Sequence, residues 1–422
     1  MTSLRLAVPA ALLVGLAFVP SASAAGRTQD VTWHGTQIHL YEGQAAGRDG
    51  AGVTVAVLDS WVDTAHPDFE GRARGAVDCV GGTCKSGQVR DACTHGTHVA
   101  GTVGSSSFGV ARKAIILSVQ VLTADSKGEC TGTPTDVAAG IRYAVAHGAT
   151  VLNLSLGPDV TVLGATSSIP AAVKEAAAAG AVVIFSAGNA DNQTAQSYGS
   201  DALVVAATGP NGKLATYSQH GAGVNVAAPG GEPTNGDTCT QAICVTSLYP
   251  GGQYAVAAGT SMAAPHVAGL AALLLGQNPA RGRQNVLDRI TGTAHPLTGA
   301  GAGLVDAKAA LGVTAVAPKP TTPATHKPVP VVKTHTTAPK PVATTKPTPA
   351  KPKPTPSPTT SPTASPAPVV TPSQTPIPLP TAPRALPVSK KDTVPVPLAA
   401  FGGILVGLAG TGVLVLPRRL KR

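Results

Sequence analysis

Three short blocks carry the residue types that acyl transfer needs. Val55-Ala56-Val57-Leu58-Asp59 ends an apolar run on an acid. His95-Gly96-Thr97-His98-Val99-Ala100-Gly101 opens a helix on a histidine, and Gly259-Thr260-Ser261-Met262-Ala263-Ala264-Pro265-His266 opens another on a serine. A serine hydroxyl is a weak nucleophile at neutral pH. It needs a neighbouring base to take its proton, and the base needs a group that orients it. Ser261 is thus the candidate nucleophile, His95 the candidate general base and then acid, and Asp59 the carboxylate that fixes the imidazole tautomer. Each alone has a plainer reading: Ser261 as a helix cap, Asp59 as a turn residue, His95 as a structural or metal histidine. The three blocks together, in this order, carry the chemistry.

Elements able to hold such groups recur along the chain. Continuous apolar runs at 53–58, 114–122, 150–154, 181–185, 203–207 and 224–227 suit parallel strands covered on both faces. Between several of them lie helical stretches. Thr133-Pro134-Thr135-Asp136 opens one, with proline early and an acid in the first turn, and Gly148 closes it. Ser168 and Pro170 open the next, which runs to Gly180. The long, mostly apolar 261–276 predicts a buried helix, and 283–290 and 306–310 predict short peripheral ones. Strands alternating with helices predict an α/β fold, a mainly parallel central sheet with helices on both faces in three α/β/α layers.

With these motifs unbroken, the chain resembles the subtilisin-like serine proteases. The resemblance implies a serine endopeptidase acting on peptide or protein substrates; no cofactor or metal is expected. It makes His98 and His266 structural. Ser186-Ala187-Gly188-Asn189 resembles the segment whose asparagine side chain donates to the oxyanion, with the Ser261 backbone N–H as second donor. Leu154-Ser155-Leu156-Gly157 resembles the edge strand on which substrates lie backbone to backbone. Gly157, Ala187 and Gly188 would border the primary specificity pocket, where small residues leave room for a sizeable apolar side chain. Three departures stand out. Trp61 replaces the usual glycine after Asp59-Ser60, which predicts a narrowed leaving-group side. The stretch 104–109 lacks the carboxylates of a calcium loop. Only a short segment separates the export leader from the fold, so folding without a cleaved chaperone region is expected.

The rest of the chain predicts where such a domain would sit. Residues 1–24 read as a signal peptide, with Arg5, an apolar stretch and Ala22-Ser23-Ala24. Residues 25–314 have the composition of one catalytic domain. Residues 315–397 hold 24 of the 38 prolines, alternating with Thr, Ser, Ala and Lys, and read as a disordered linker. The run 398–416 is 19 residues without a charge, long enough to span a bilayer as a helix. The basic tail 417–422 would face the cytoplasm, leaving the domain outside the cell membrane. A cleaved wall-anchoring signal is the rival, but Leu379-Pro380-Thr381-Ala382-Pro383 lacks its glycine.

The net charge of +10 belongs to this tail: residues from 315 on carry 14 Lys and Arg against Asp392 alone, and the remainder is net −3. With few aromatics as well, nucleic-acid binding by the domain is not expected. The order of segments is similar to that of the mycosins, subtilisin-like proteases attached to a bacterial secretion apparatus. That likeness adds an alternative, a structural part of a secretion complex with dispensable peptidase activity. Six cysteines in an exported chain predict three disulfides. The close pairs Cys79 with Cys84 and Cys239 with Cys244 are favoured, leaving Cys93 with Cys130. Zinc is disfavoured at these thiols because the two close pairs have four-residue gaps without partner histidines.

Overall fold

A computed structural model describes residues 6–7, 18–19, 32–156, 168–191, 194–234 and 238–314. In chain order the elements are β1 (Leu6–Ala7), β2 (Phe18–Val19), α1 (Trp33–Gln37), α2 (Leu40–Ala45), β3 (Thr54–Asp59), β4 (Ala73–Asp78), β5 (Lys85–Ser86) and α3 (His95–Gly104). Then come β6 (Ile115–Gln120), β7 (Thr123–Ala124), β8 (Cys130–Gly132), α4 (Pro134–Ala146), β9 (Val151–Leu154), α5 (Ser168–Ala178), β10 (Val182–Ser186), β11 (Leu203–Thr208) and β12 (Val226–Pro229). A hairpin of β13 (Val245–Tyr249) and β14 (Gln253–Ala257) leads into α6 (Thr260–Gln277), α7 (Arg283–Gly292) and α8 (Ala307–Leu311).

The main sheet runs β12-β11-β10-β9-β3-β6-β4-β5. Every pairing in it is parallel except that of the edge strand β5 with β4. The two faces bury separate cores. Val55, Val57, Ile116, Val151 and Ile184 pack with α3 and α6, while Ala56, Leu58, Val119, Leu152 and Phe185 pack with α4 and α5. Alternation within β3 assigns neighbouring residues to opposite layers, as the two-residue period of a strand requires. Both faces are apolar because both are covered. The three-layer α/β/α expectation therefore holds, and the six apolar runs all become strands of this sheet.

Helix starts follow local chemistry. Thr133 accepts from the Asp136 N–H while the Asp136 carboxylate accepts from the Thr133 N–H at 3.0 Å, a closed capping box ahead of α4. Helix α3 is buried along all ten residues and α6 over sixteen. A helix apolar all round belongs in the interior. Three disulfides, Cys79–Cys84, Cys93–Cys130 and Cys239–Cys244, join the pairs expected. The second ties the approach to α3 onto β8.

The short strands β1 and β2 pair with β8 and β14 and fall within 1–24, the segment read as a leader. Gly157, the linker 315–397, the apolar run 398–416 and the tail 417–422 lie outside the described residues. Among the described residues no helix is long and apolar enough to cross a membrane.

Candidate active site

Strand β3 delivers Asp59 at its C-terminal end, where parallel sheets of this kind present functional groups. Asp59 is fully buried, and its Oδ1 accepts from His95 Nδ1 at 2.8 Å and from the Ser60 N–H at 2.7 Å. His95 is the first residue of α3. Gly96 lets that helix start touch the strand end: its N–H donates to Ser60 Oγ at 2.8 Å, and a Cβ there would stand 2.4 Å from the Ser60 carbonyl oxygen. A carboxylate on Nδ1 holds the proton on that nitrogen, which leaves Nε2 as the basic lone pair.

Ser261 is the second residue of α6, a helix packed directly against α3. Its N–H belongs to the first turn, where no intrahelical acceptor exists. Its hydroxyl donates to the Ser155 carbonyl oxygen at 3.2 Å, so the bond to His95 is not formed in this state. The Ser261 carbonyl has its own requirement. In a regular helix it would accept from residue 265, but Pro265 has no N–H. Ser155 Oγ donates to it instead, at 2.8 Å, and itself accepts from Asn153 Nδ2 at 3.0 Å. The tip of β9 thus replaces one hydrogen bond of the helix that carries the nucleophile candidate.

Asn189 follows β10 and is held by Thr260. Its Oδ1 accepts from both the Thr260 N–H and Oγ1 at 2.9 Å, and the Gly188 N–H donates to Thr260 Oγ1 at 3.1 Å. With the amide oxygen so engaged, Nδ2 is the group left to donate to a ligand. Gly188 sits at φ 107°, and a Cβ there would collide with the Gln219 side chain at 1.7 Å. The arrangement offers an oriented base, a serine at a helix start and two candidate N–H donors, the equipment for acyl transfer through an oxyanion.

The structure brings Asp59 and His95 into contact, and Ser155, Ala187, Gly188, Asn189 and Thr260 into one hydrogen-bonded or adjoining set around Ser261. Ala187 and Leu156 are buried. Ser155 was expected to meet a peptide through its backbone; its side chain is used inside the protein, which leaves the backbone for that contact. Trp61 lies just beyond Asp59. Its ring is buried, Nε1 donates to the Asp91 carbonyl at 3.1 Å, and the Arg90 guanidinium lies 5.4 Å over it. Through that bond the indole ties the end of β3 to the loop leading to Cys93 and His95. The loop after α3 closes on main chain, with the Ser106 N–H and Oγ both donating to the Asp68 carbonyl.

Beneath the site lies a histidine cluster that sequence reasoning recognised only in part. His266 Nδ1 donates to the Met262 carbonyl at 2.8 Å, and its Nε2 accepts from His34 Nδ1 at 2.9 Å. His98 Nε2 donates to the Val245 carbonyl at 3.2 Å. Burial, then neighbouring His95, holds the His98 pKa down at about 3, and burial holds His266 at about 4. Burial, then His266 and His98, pushes His34 well below the usual histidine value. His98 and His266 are thus neutral packing groups. His34 was not anticipated, since its partner lies 232 residues away.

Comparison with known proteins agrees with this geometry. Residues 50–318 match the model of the subtilase family, peptidase S8. The chain is 35% identical over 292 residues to subtilisin BL of Lederbergia lenta, covering 67% of this chain and 99% of that one. It is 39% identical over 261 residues to thermitase of Thermoactinomyces vulgaris, covering 60% and 85%. A solved protease of Pseudoalteromonas arctica superposes with a TM-score of 0.56 at 29% identity, over 67% of this chain and 96% of that one. The chain belongs to the subtilase family and is a serine endopeptidase of subtilisin type.

Proposed function

We propose that this subtilase cleaves extended peptide segments through Asp59, His95 and Ser261, with Asn189 as oxyanion donor. The observation that carries the assignment is the 2.8 Å bond from His95 Nδ1 to a carboxylate with no exposure to solvent. It sets the tautomer in which Nε2 can take a proton. On substrate binding the Ser261 hydroxyl leaves the Ser155 carbonyl and turns to His95. Its oxygen attacks the scissile carbonyl carbon while the proton passes to Nε2. The carbonyl π pair moves onto oxygen, where Asn189 Nδ2 and the Ser261 N–H stabilise the charge. Collapse expels the amine, which takes the proton from His95, and leaves an acyl ester on Ser261. Water, deprotonated by His95, attacks that ester and restores the serine.

The setting we propose is export and membrane attachment. The leader-like 1–24, the proline-rich 315–397 and the apolar 398–416 followed by basic residues support a domain held outside the cell by one span. A polyproline tether of that length reaches on the order of 250 Å. The same order of segments supports the narrower reading of a mycosin-like enzyme serving a secretion complex.

Labelling of the purified full chain by a fluorophosphonate tests the catalytic assignment. The reagent requires an activated serine, so wild type should label and Ser261→Ala should not. Equal labelling of both would overturn it. Retained secretion in a Ser261→Ala strain, against loss in a deletion strain, would favour the structural role over the peptidase.

A further inference from the structure

We propose that His39, His295 and Asp306 form a zinc site that clasps the beginning of the catalytic domain to its last helix. His39 Nδ1 and His295 Nε2 both approach Asp306 Oδ2, at 2.9 and 2.7 Å. The three ligand atoms lie within 4.8 Å of one another. Two imidazoles and one carboxylate are a donor set suited to zinc, with further positions for water. The carboxylate is already oriented. Asp306 caps α8, and its Oδ1 accepts from the Ala309 N–H at 2.8 Å, so Oδ2 alone is presented to a metal. Such support of a ligand by its neighbours is characteristic of metal sites.

The rings have the freedom that coordination needs. Their side chains are 45% and 58% exposed, whereas that of Asp306 is 7% exposed. Zinc–nitrogen and zinc–oxygen bonds of about 2.0–2.2 Å set a tetrahedral ligand-to-ligand edge of roughly 3.3 Å. The present contacts therefore open by about half an ångström as the rings turn. To bind, each imidazole carries its proton on the ring nitrogen turned away from Asp306 and offers the metal the lone pair of the other.

The site joins segments far apart in sequence, since His39 and Asp306 are separated by 267 residues. They already meet where the Ala307 N–H donates to the Ile38 carbonyl at 2.8 Å. A metal there would secure α2 against α8. No metal was expected from the sequence, whose candidate stretches were 104–109 and the cysteines; His39, His295 and Asp306 share no local pattern. The active-site assignment plays no part in this proposal.

The test uses the full chain carrying Ser261→Ala, stripped with chelator and titrated with zinc alone, with cobalt as spectroscopic probe. One zinc per chain at micromolar affinity is expected, with a cobalt spectrum of nitrogen and oxygen ligands. A rise in Tm of roughly 5 °C is expected at a hundredfold excess over Kd. His39→Ala and His295→Ala should each weaken binding at least about tenfold. Asp306→Asn, which keeps the cap on α8, should do likewise. These variants should retain the circular dichroism of the parent because both rings are largely at the surface. No saturable binding up to about 1 mM zinc would overturn the proposal. So would binding unchanged in the His39→Ala/His295→Ala double variant, which would place the metal elsewhere, for instance on His95.

Discussion

Mild acid should destabilise this protein well before its carboxylates titrate, because of the histidines under the active site. The cluster takes one proton per ring. His266 uses Nδ1 to donate and Nε2 to accept, so a second proton would set two N–H groups facing one another at His34. His34 Nε2 and His98 Nδ1 are buried and find no partner among the described residues, so protons placed there would be charged and unsolvated. His98 faces His95 and His266, with the Ala255 and Val245 carbonyls offsetting only part of the cost of burial, and His34 faces His266 and His98. Folded pKa values of about 3 for His98 and about 4 for His266 lie below the ordinary value near 6.5. The unfolded chain then binds protons that the folded chain refuses. Stability is complete above about pH 6.5 and falls as pH drops toward the folded values. At pH 5 each such histidine costs about 2 kcal/mol relative to pH 7.5, or about 4 kcal/mol for the two, and His34 acts in the same direction. For a domain of this size that is a fall in Tm of about 8 °C or more. The assay is a thermal melt of the full chain with Ser261→Ala, which prevents self-digestion, in excess chelator to keep metal binding out of the measurement. Asp306, whose pKa is depressed, contributes only below about pH 4 and does not confuse the window. A Tm that moves by less than about 2 °C between pH 7.5 and pH 5 would refute the reasoning.

Three further outcomes follow from the site. Ser155→Ala should leave the Ser261 carbonyl without the donor that Pro265 cannot supply, costing about 1–3 kcal/mol by chemical denaturation and lowering kcat more than it alters KM. Wild-type stability in that variant would mean the carbonyl has another donor. Asn189→Ala should lower kcat by about 10²–10³, the loss known for an oxyanion-hole asparagine in subtilisin itself, with KM for a peptide anilide little changed. A purely raised KM would make Asn189 a substrate-binding residue instead. Removing the Cys93–Cys130 bridge by paired serine substitutions should cost about 4 kcal/mol, since it closes a 37-residue separation, against about 2 kcal/mol for the five-residue Cys79–Cys84 loop. Equal costs measured by denaturant unfolding would argue against loop closure as the cause.

Legibility in the sequence tracked how local each cause is. Strands β3, β6, β9, β10, β11 and β12 were readable because both faces of the sheet are covered and the runs are apolar throughout. Strand β4 was not, because Arg74 and Gly75 are exposed and the register shifts between Arg74 and Val77. The β13–β14 hairpin had a signal that went unused, the Pro250-Gly251-Gly252 turn between β-prone residues. Pro265 lies near the start of α6, where proline costs little, but its position four residues after Ser261 also announces an orphaned carbonyl at the nucleophile. What supplied the missing donor, Ser155, could come only from the fold. His34 with His266, and His39 with His295 and Asp306, depend on contacts between segments far apart in sequence and carry no local pattern at all.

The motifs that announced the chemistry were legible for a reason beyond the reactive residues in them. Helices α3 and α6 lie in the interior, where residues of poor helix propensity survive because packing rather than propensity holds the helix. Each glycine in the His95 block answers a close approach. At Gly96 a Cβ would strike the Ser60 carbonyl, and at Gly101 it would stand 2.5 Å from both Leu248 Cγ and Ser247 Oγ. Gly269 on α6 similarly makes room for Val110, where a Cβ would stand 2.4 Å from that side chain. The Gly96 contact draws the helix bearing His95 onto the end of the strand bearing Asp59, the Gly101 contact seats that helix on β13, and the Gly269 contact brings the helix bearing Ser261 against it. The spacing of small residues around the reactive ones therefore records how closely three elements must pass. A protein that kept Asp59, His95 and Ser261 but enlarged these glycines would keep the reagents and lose the distances between them.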